Sequence, residues 1–254
     1  MHSTPSPPRP ASTWPDGEPY QDLSLGRLKS GKEAEIFLVE RRFASGPRLL
    51  AHKRYRPRYP VKGELREKGF SNSTSYRSDA IYKASWFLPR RDKTALMGGS
   101  RYGHELAARL WPAQEWAMLC RAWEAGASVP YPVEQTDHGL LMEFIGDEEQ
   151  AAPKLAQARL SSGELLSAWD QLLASLRYLT DAGLAHADLS AYNLLWWQGR
   201  LVIIDLPQAV EFTTNTDAYN LLHRDVRNAG EWFTRHGVPV DVEATYAELL
   251  ALAW

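Results

Sequence analysis

The stretch HADLSAYNLLWWQGRLVIID, residues 186–205, constrains the fold of this chain more than any other part of the sequence. Two apolar runs, LLWW and LVII, flank the turn QGR, and this pattern predicts a β-hairpin of two short strands. Asp188 and Asn193 precede the first strand, and Asp205 follows the second. Because a tight hairpin brings its two ends together, these three side chains are predicted to converge.

Converging carboxylate and amide side chains are typical of magnesium-dependent phosphoryl transfer. Magnesium prefers oxygen ligands and is usually bound by one or two carboxylates together with substrate phosphates, so Asn193 and Asp205 are predicted to bind the metal. Asp188 is then the group that accepts or orients a proton of the attacking hydroxyl or water. Isolated aspartates and asparagines are commonly turn or cap residues, but here the spacing, the hairpin and the acid at its end agree.

A site of this kind requires further residues upstream. Lys53, at the end of the strand-like run RLLAHKRY, is predicted to neutralise phosphates. Glu115, in about the first turn of a helix predicted from WPAQEWAMLCRAWEAG, is predicted to position that lysine. Ser30 and Lys32 lie at a turn between two predicted strands, where backbone N–H groups and a lysine can cover phosphates.

The segment GLLMEFIG reads as an apolar strand that runs into a linker. Linkers of this kind in kinases contact the adenine ring through backbone groups. Glu143 and Ile145 are the predicted contacts, and Met142 is predicted to line the pocket.

The tripeptide His223-Arg224-Asp225 matches a familiar kinase motif elsewhere in the chain. Five residues past Asp225 stands Gly230 rather than an asparagine, and no strand pair with a terminal acid follows. We therefore interpret these three residues as ordinary helix residues.

Apolar residues at helical spacing predict a helix from Ser162 to Ala182, just before the hairpin. Ser162 is predicted to cap this helix and Gly183 to end it. Glycine also follows the helix predicted around Glu115, and Pro112 is predicted near the start of that helix.

The remaining composition limits the class of protein. Residues 1–20 are rich in Pro and Ser and are predicted to be a disordered tail, with the folded domain at 21–254. No apolar run approaches the roughly 20 residues of a membrane span, and no signal-peptide centre is visible, so we expect a cytoplasmic location without membrane contact. Cys120 is the single cysteine, which excludes a disulfide framework, and it is interpreted as a buried, inert thiol.

Positive charge is concentrated in residues 52–109, which hold fourteen Lys and Arg against five Asp and Glu, although the whole chain carries a net charge of -2. One interpretation is a solvated basic loop, and the other is a surface for a polyanion such as RNA. Aromatic residues interleave with cations here, as on nucleic-acid-binding surfaces, but no recognised RNA-binding signature is present. The same segment can also close over a nucleotide.

The motifs SGKEAEIF, LMEFIG, HADLSAYNLL and IIDLPQAVE together resemble the RIO family of atypical serine/threonine kinases, especially its single-domain bacterial members. The resemblance implies an α+β, bilobal protein-kinase-like fold. It has a small β-rich N-terminal lobe with one key helix, at about 21–143, and a shortened, mainly helical C-terminal lobe, at about 147–254. ATP and Mg²⁺ are the implied cofactors, with Mn²⁺ as an alternative metal. By this resemblance, Lys53, Glu115, Asp188, Asn193 and Asp205 have the family's functional roles. Ser30 and Lys32 match the positions of its phosphate-binding loop.

Some positions depart from the kinase patterns. Ala191 stands where RIO proteins commonly have Glu, and Ser190 stands where ordinary kinases have Lys. Asp205 is followed by LPQ rather than FG, and no APE motif lies downstream. Neither an activation segment nor a full peptide-binding lobe is therefore expected.

Three functions remain open from the sequence. The resemblance implies phosphoryl transfer to a protein or to the chain itself, or an ATPase-like turnover in which Asp205 receives phosphate, coupled to ribosome-subunit maturation. Small-molecule phosphotransfer is the second, because antibiotic and choline kinases share the Asp, Asn and Asp spacing. The third is a nucleotide-gated module that binds ribosomal RNA through residues 52–109, for which Arg56, Arg58 and Lys62 are the cations to neutralise.

Overall fold

The computed structural model describes residues 15, 18–31, 34–55, 91, 94, 101–137, 139–147 and 150–253. The N-terminal part contains the strands β1 (Tyr20–Ser30), β2 (Ala34–Phe43), β3 (Gly46–Tyr55), β4 (Pro132–Thr136) and β5 (Gly139–Glu143). They form one antiparallel sheet in the order β1-β2-β3-β5-β4. This order places β3 in the middle of the sheet.

Strand β3 carries Lys53 into the interior. Lys53 pairs with Ile36 on β2 and with Leu140 on β5. Because successive side chains of a strand point to opposite faces, Lys53 and Tyr55 share one face. Both are buried, and this face is where the functional groups described below meet.

Helix α1 (Arg101–Glu124) packs against β4 and β5. It begins well before the predicted start, so Pro112 lies inside the helix and Glu115 lies in its second half rather than in its first turn. The prediction placed both residues too close to the start because proline is common at the first helical position. Gly126, with φ +93°, follows the helix in the left-handed conformation that glycine adopts readily.

The C-terminal part is mainly helical, with short strand pairs between its helices. Its elements are α2 (Ser162–Asp181), β6 (Leu184–Ala185), β7 (Leu194–Trp197), β8 (Arg200–Ile203), β9 (Val210–Glu211), α3 (Ala218–Arg235) and α4 (Val242–Leu250). Strand β6 pairs with β9, and β7 pairs with β8. The predicted α+β class is therefore confirmed.

Helix α2 begins at Ser162, as predicted, and is capped by a capping box. The cap residue lies one position earlier than predicted. Ser161, not Ser162, is the N-cap: its hydroxyl accepts a hydrogen bond from the Glu164 N–H, and the Glu164 carboxylate accepts one from the Ser161 N–H. The Ser-x-x-Glu spacing favours Ser161, because only that cap places a glutamate at the third helical position. Gly183 follows the helix with φ +75°, which confirms the predicted stop.

The predicted hairpin is confirmed. Leu194 pairs with Ile203 and Trp197 with Arg200, leaving Gln198 and Gly199 as the turn. Both turn residues have positive φ, 48° and 78°, as in the two-residue turns that match the twist of paired strands.

One cluster of buried apolar side chains joins α1 and β5 to α2, the short strands and α3. Its fully buried members include Leu140, Leu172, Leu194 and Phe233. Burial of each such side chain contributes roughly 1.5–3 kcal/mol. Cys120 is only partly buried, in contrast to the prediction, and burial together with Glu124 raises the pKa of its thiol, so it is not an activated nucleophile.

Three predictions fall wholly or mostly outside the described residues: the tail 1–20, Lys32 and the basic segment 52–109 with Arg56, Arg58 and Lys62. They stay predictions. None of the helices in the described ranges has the length and apolar character needed to cross a membrane.

Candidate active site

Lys53 lies between two carboxylates. Its Nζ donates to Glu115 Oε1 and to Asp205 Oδ1, each at 2.6 Å. Lys53 is 8% exposed and Glu115 is 2% exposed, and an ammonium group is rarely buried to this extent unless it is paired. The structure thus brings together three of the predicted site residues, from β3, α1 and the end of the hairpin.

The charges of this group are coupled. Burial alone lowers the pKa of Lys53, but the carboxylates of Glu115 and Asp205 outweigh it and raise that pKa well above its ordinary value. In return, the positive charge of Lys53 lowers the pKa of Asp205. Lys53 and Asp205 are therefore both ionised at neutral pH.

Tyr55 is a member of the site that was not predicted. Its hydroxyl donates to Glu115 Oε2, so both oxygens of this buried carboxylate are hydrogen-bonded. The available signal was the two-residue spacing from Lys53, which places both side chains on the same face of β3.

The loop before β7 holds Asp188 and Asn193 together. Asn193 Nδ2 donates to the backbone carbonyl of Asp188 at 2.8 Å and to its carboxylate Oδ2 at 3.2 Å. Since the amide nitrogen is engaged in the loop, Oδ1 is the Asn193 atom suited to a metal. The Ile204 N–H donates to the Asn193 carbonyl at 2.9 Å, which places Asn193 next to the residue that precedes Asp205.

Asp205 and Ala187 adopt left-handed backbone conformations, with φ +70° and +63°. Such conformations cost roughly 1–3 kcal/mol for residues other than glycine and persist where the surroundings fix them. His186 helps to hold the neighbouring backbone in place. Its Nε2 is 3.1 Å from the Ile204 carbonyl, and its Nδ1 is 3.3 Å from the Asp188 backbone nitrogen. A neutral imidazole protonated on Nε2 satisfies both contacts.

Helix α3 fixes the same loop from the other side. The Asp225 carboxylate accepts hydrogen bonds from the Ala187 N–H at 2.6 Å and the Leu189 N–H at 2.9 Å. Arg224 donates to the Ala187 carbonyl. Both residues lie in a helix as predicted, but their interpretation as ordinary helix residues is wrong, because they position the loop that carries Asp188.

Asp188 itself is exposed at the residue level, while its carboxylate is partly desolvated. This desolvation and the negative charge of Asp205 raise the pKa of Asp188, and the hydrogen bond from Asn193 opposes the change. A raised pKa makes a carboxylate a stronger proton acceptor, which suits a general base.

Four other predicted nucleotide-binding residues, Ser30, Met142, Glu143 and Ile145, lie on β1, on β5 and in the linker after β5. Ser30 ends β1, and the Gly31 N–H donates to the carbonyl of Ala34, the first residue of β2, at 2.9 Å. Met142 is half-buried and packs against the main core. The Ile145 side chain packs with Ala152 and Val202, and its carbonyl accepts from the Ala152 N–H. The Ile145 carbonyl is therefore engaged within the protein. The predicted contacts of these residues with adenine and phosphates stay predictions.

Glu143 forms an ion pair within the protein. Its Oε1 accepts from Arg200 Nη1 at 3.2 Å, and its Oε2 accepts from the Tyr131 N–H at 3.1 Å. The Arg200 contact joins β5 to the hairpin, and the Tyr131 contact joins β5 to the residue before β4. Any contact of Glu143 with adenine would therefore involve its backbone.

A complete protein cage for a metal ion is absent from the described ranges, because no group of three or more His, Cys, Asp or Glu side chains suited to metal binding occurs there. One carboxylate, Asp205, and one amide oxygen, Asn193, are the hard ligands available. They fit Mg²⁺, which retains waters and is completed by substrate phosphates.

Comparisons with known proteins point to one family. The model of the family described as RIO domain matches residues 86–246. The chain is 37% identical over 173 residues to the RIO-type serine/threonine-protein kinase Rio1 of Haloferax volcanii, covering 65% of this chain and 58% of that protein. It is 40% identical over 131 residues to the serine/threonine-protein kinase RIO3 of Bos taurus, covering 51% and 25%. The chain thus spans between a quarter and about three fifths of these relatives.

The solved structure of the Rio2 kinase from Chaetomium thermophilum, an ADP/Mg²⁺-phosphoaspartate complex, has a similar fold. The TM-score is 0.56 at 21% identity, and the match covers 88% of this chain and 60% of that chain. This likeness confirms the predicted kinase-like α+β architecture.

Proposed function

The chain belongs to the RIO domain family, and from that premise we propose that it is an atypical serine/threonine protein kinase that uses ATP and Mg²⁺. The observation that carries the proposal is the position of Lys53 Nζ, 2.6 Å from both Glu115 and Asp205. A lysine on a sheet strand, fixed by a helix glutamate beside an acid suited to a metal, is the arrangement that neutralises and orients transferring phosphates.

Each residue of the site has its own task. Lys53 neutralises phosphate oxygens, and Glu115 holds its ammonium group in place. Asn193 and Asp205 would hold Mg²⁺, which supplies positive charge against the phosphates when bound. Asp188 accepts the proton of the attacking hydroxyl, at Oδ1, because Asn193 already donates to Oδ2.

Asp205 is also a proposed phosphate acceptor. Lys53 keeps its carboxylate ionised and therefore nucleophilic. An Asp205 oxygen bonds to the γ-phosphorus as the bond to the bridging oxygen breaks, and ADP leaves. Water then hydrolyses the aspartyl phosphate and releases inorganic phosphate, so that the net turnover is ATP hydrolysis. The Rio2 kinase solved with ADP/Mg²⁺ and phosphoaspartate supports this route by analogy.

The test compares phosphate incorporation and phosphate release from γ-labelled ATP for the natural chain and for Asp188→Ala. The variant should retain nucleotide affinity and lose turnover by several orders of magnitude, because its carboxylate acts mainly in the transition state. Asp181→Ala, an exposed change on α2, should have full activity. Chelation of Mg²⁺ should abolish turnover. Comparable turnover in Asp188→Ala, or no turnover in the natural chain, would reject the proposal.

The charge of residues 52–109 favours a second candidate, a nucleotide-gated module that docks on ribosomal RNA during subunit maturation. Fourteen cations against five anions provide the electrostatic attraction. Replacement of Arg56, Arg58 and Lys62 by Gln should weaken RNA binding and reduce its salt dependence, with nucleotide affinity unchanged. RNA affinity that does not respond to these changes would reject the module.

A further inference from the structure

A segment between β5 and α2 runs alongside the loop that carries Asn193. Pro153, Leu155 and Ala156 are hydrogen-bonded to this loop and to β7: Trp196 N–H to the Pro153 carbonyl at 3.1 Å, Leu155 N–H to the Leu194 carbonyl at 2.8 Å, and Ala156 N–H to the Ala191 carbonyl at 3.0 Å. Lys154 forms an antiparallel bridge with Leu195. The backbone of Lys154 is therefore fixed beside the metal-binding end of the hairpin.

The side chain of Lys154 extends toward the same loop. Its Nζ lies 5.7 Å from the centroid of the Tyr192 ring, and Tyr192 directly precedes Asn193. Lys154 is half-buried, and its neighbour Leu155 is fully buried in the main core. Leu155 anchors the segment, so the ammonium group of Lys154 is not needed to hold it in place.

Lys29, near the end of β1, pairs with Ile36 on β2, and Ile36 pairs with Lys53 on β3, so the Lys29 side chain lies on the face of the sheet that carries Lys53. Burial lowers the pKa of Lys154, the positive charge of Lys29 and a side-chain hydrogen bond with it lower this pKa further, and Asp205 opposes the change. Lys29 precedes Ser30, a predicted phosphate-loop residue. Two lysines from separate parts of the fold thus converge near the carboxylate that is suited to the metal.

Two neighbouring ammonium groups repel each other, and an anion between them offsets that repulsion. Each ammonium group has three donors and no acceptor, so the two groups cannot both be protonated and hydrogen-bonded to each other. Within the described part of the chain, neither Lys29 nor Lys154 forms an ion pair with a carboxylate. An anion bound between them would accept hydrogen bonds from both and offset their repulsion.

We propose that Lys29 and Lys154 together bind the terminal phosphate of ATP, one from each side. The inference rests on the proposed function, because it assigns two binding residues to that site. Ser190 stands two residues after Asp188, where ordinary kinases have a lysine. Lys154, in the segment before α2, and Lys29, on β1, supply positive charge in place of that lysine. ADP lacks the terminal phosphate and makes no use of the pair.

The test is the ratio of two affinities. Two nucleotides are titrated separately into the full chain by calorimetry, each with Mg²⁺. One is ADP, and the other is the ATP analogue that has nitrogen in place of the β–γ bridging oxygen. Lys154→Met should lower affinity for the analogue about tenfold and leave ADP affinity within about twofold. Lys29→Met should act in the same direction, and Lys154→Arg, which keeps the charge, should retain most of the analogue affinity.

Arg235→Gln is the matched control for overall charge. Arg235 is exposed in the last turn of α3, ten residues and about 15 Å of helix beyond Asp225, and its loss should change neither affinity. Equal losses for the analogue and ADP, or no loss for either, would overturn the inference while leaving the proposed function intact. Failure of the natural chain to bind either nucleotide would reject the proposed function as well.

Discussion

The Asp225 carboxylate on α3 accepts the N–H of Ala187 at 2.6 Å, and Ala187 is held there at φ +63°. This contact connects helix α3 to the residue that precedes Asp188. Its second oxygen accepts the Leu189 N–H on the other side of Asp188. Asp188, the proposed general base, is therefore positioned by its two neighbours, whose N–H groups share the Asp225 carboxylate.

Asp225→Asn should reduce both stability and turnover. An amide has one oxygen and cannot accept both N–H groups in the same way, so one buried donor loses its partner at a cost of about 1–3 kcal/mol. Urea unfolding measures the stability, and kcat should fall with little change in nucleotide affinity. Asp170→Asn, an exposed change on α2, serves as control. Equal unfolding midpoints for the two variants would contradict the role of Asp225.

Tyr55→Phe should lower the free energy of unfolding more than Tyr20→Phe, a matched change at an exposed tyrosine. The change leaves one oxygen of the buried Glu115 carboxylate without a donor, which should cost about 1–3 kcal/mol of stability and lower ATP affinity. Tyr20→Phe also removes a tyrosine hydroxyl bonded to a glutamate, Glu134, but in an exposed pair at 3.4 Å. Its effect on unfolding should be within about 0.5 kcal/mol. The prediction fails if both substitutions destabilise equally.

Gly139→Ala should disturb Lys53 directly. A Cβ at Gly139 would lie 1.8 Å from the Lys53 carbonyl oxygen, so β3 or β5 must shift. Gly199→Ala is the control: its Cβ has no heavy atom within 4 Å, and only the φ of +78° opposes it, at roughly 1–2 kcal/mol. ATP titration should show a large loss of affinity for Gly139→Ala and none for Gly199→Ala. Unchanged ATP affinity in Gly139→Ala would show that the sheet adapts without moving the lysine.

The pH dependence of kcat should report Asp188. A general base works only when deprotonated, so activity is present above its pKa and is lost as pH falls through it. Partial burial and Asp205 raise the pKa of Asp188, which places the midpoint of the acid limb above the ordinary aspartate value of 3.8. Lys53 lowers the pKa of Asp205, so Asp205 stays ionised across that limb. Tryptophan fluorescence confirms that the chain remains folded, and a midpoint at or below 3.8 would refute the assignment.

The sequence was sufficient for features that depend on nearby residues or on the expected order of kinase parts. The hairpin and the approach of Asn193 to Asp205 follow from a glycine turn between two apolar runs, and the Lys53–Glu115–Asp205 cluster followed the expected order of kinase parts. Tyr55 and Asp225 were missed because their partners are distant in sequence and neither residue is among the expected kinase parts: Asp225 contacts residues 36 and 38 positions away. No local pattern distinguishes such a carboxylate from any other acid on a helix.

Helix α1 is bonded to the C-terminal part of the molecule as well as to the sheet. Arg121 donates to the Ala182 carbonyl at 3.0 Å, and Gln114 donates to the Ala209 carbonyl at 3.3 Å. Leu119, one turn beyond Glu115, belongs to the core that extends to α2 and α3. Withdrawing the glutamate by swinging this helix outward would expose that leucine to water and break both bonds. The contact between Lys53 and Glu115 is therefore already formed in the folded protein, and no separate movement of α1 is needed to align the two side chains.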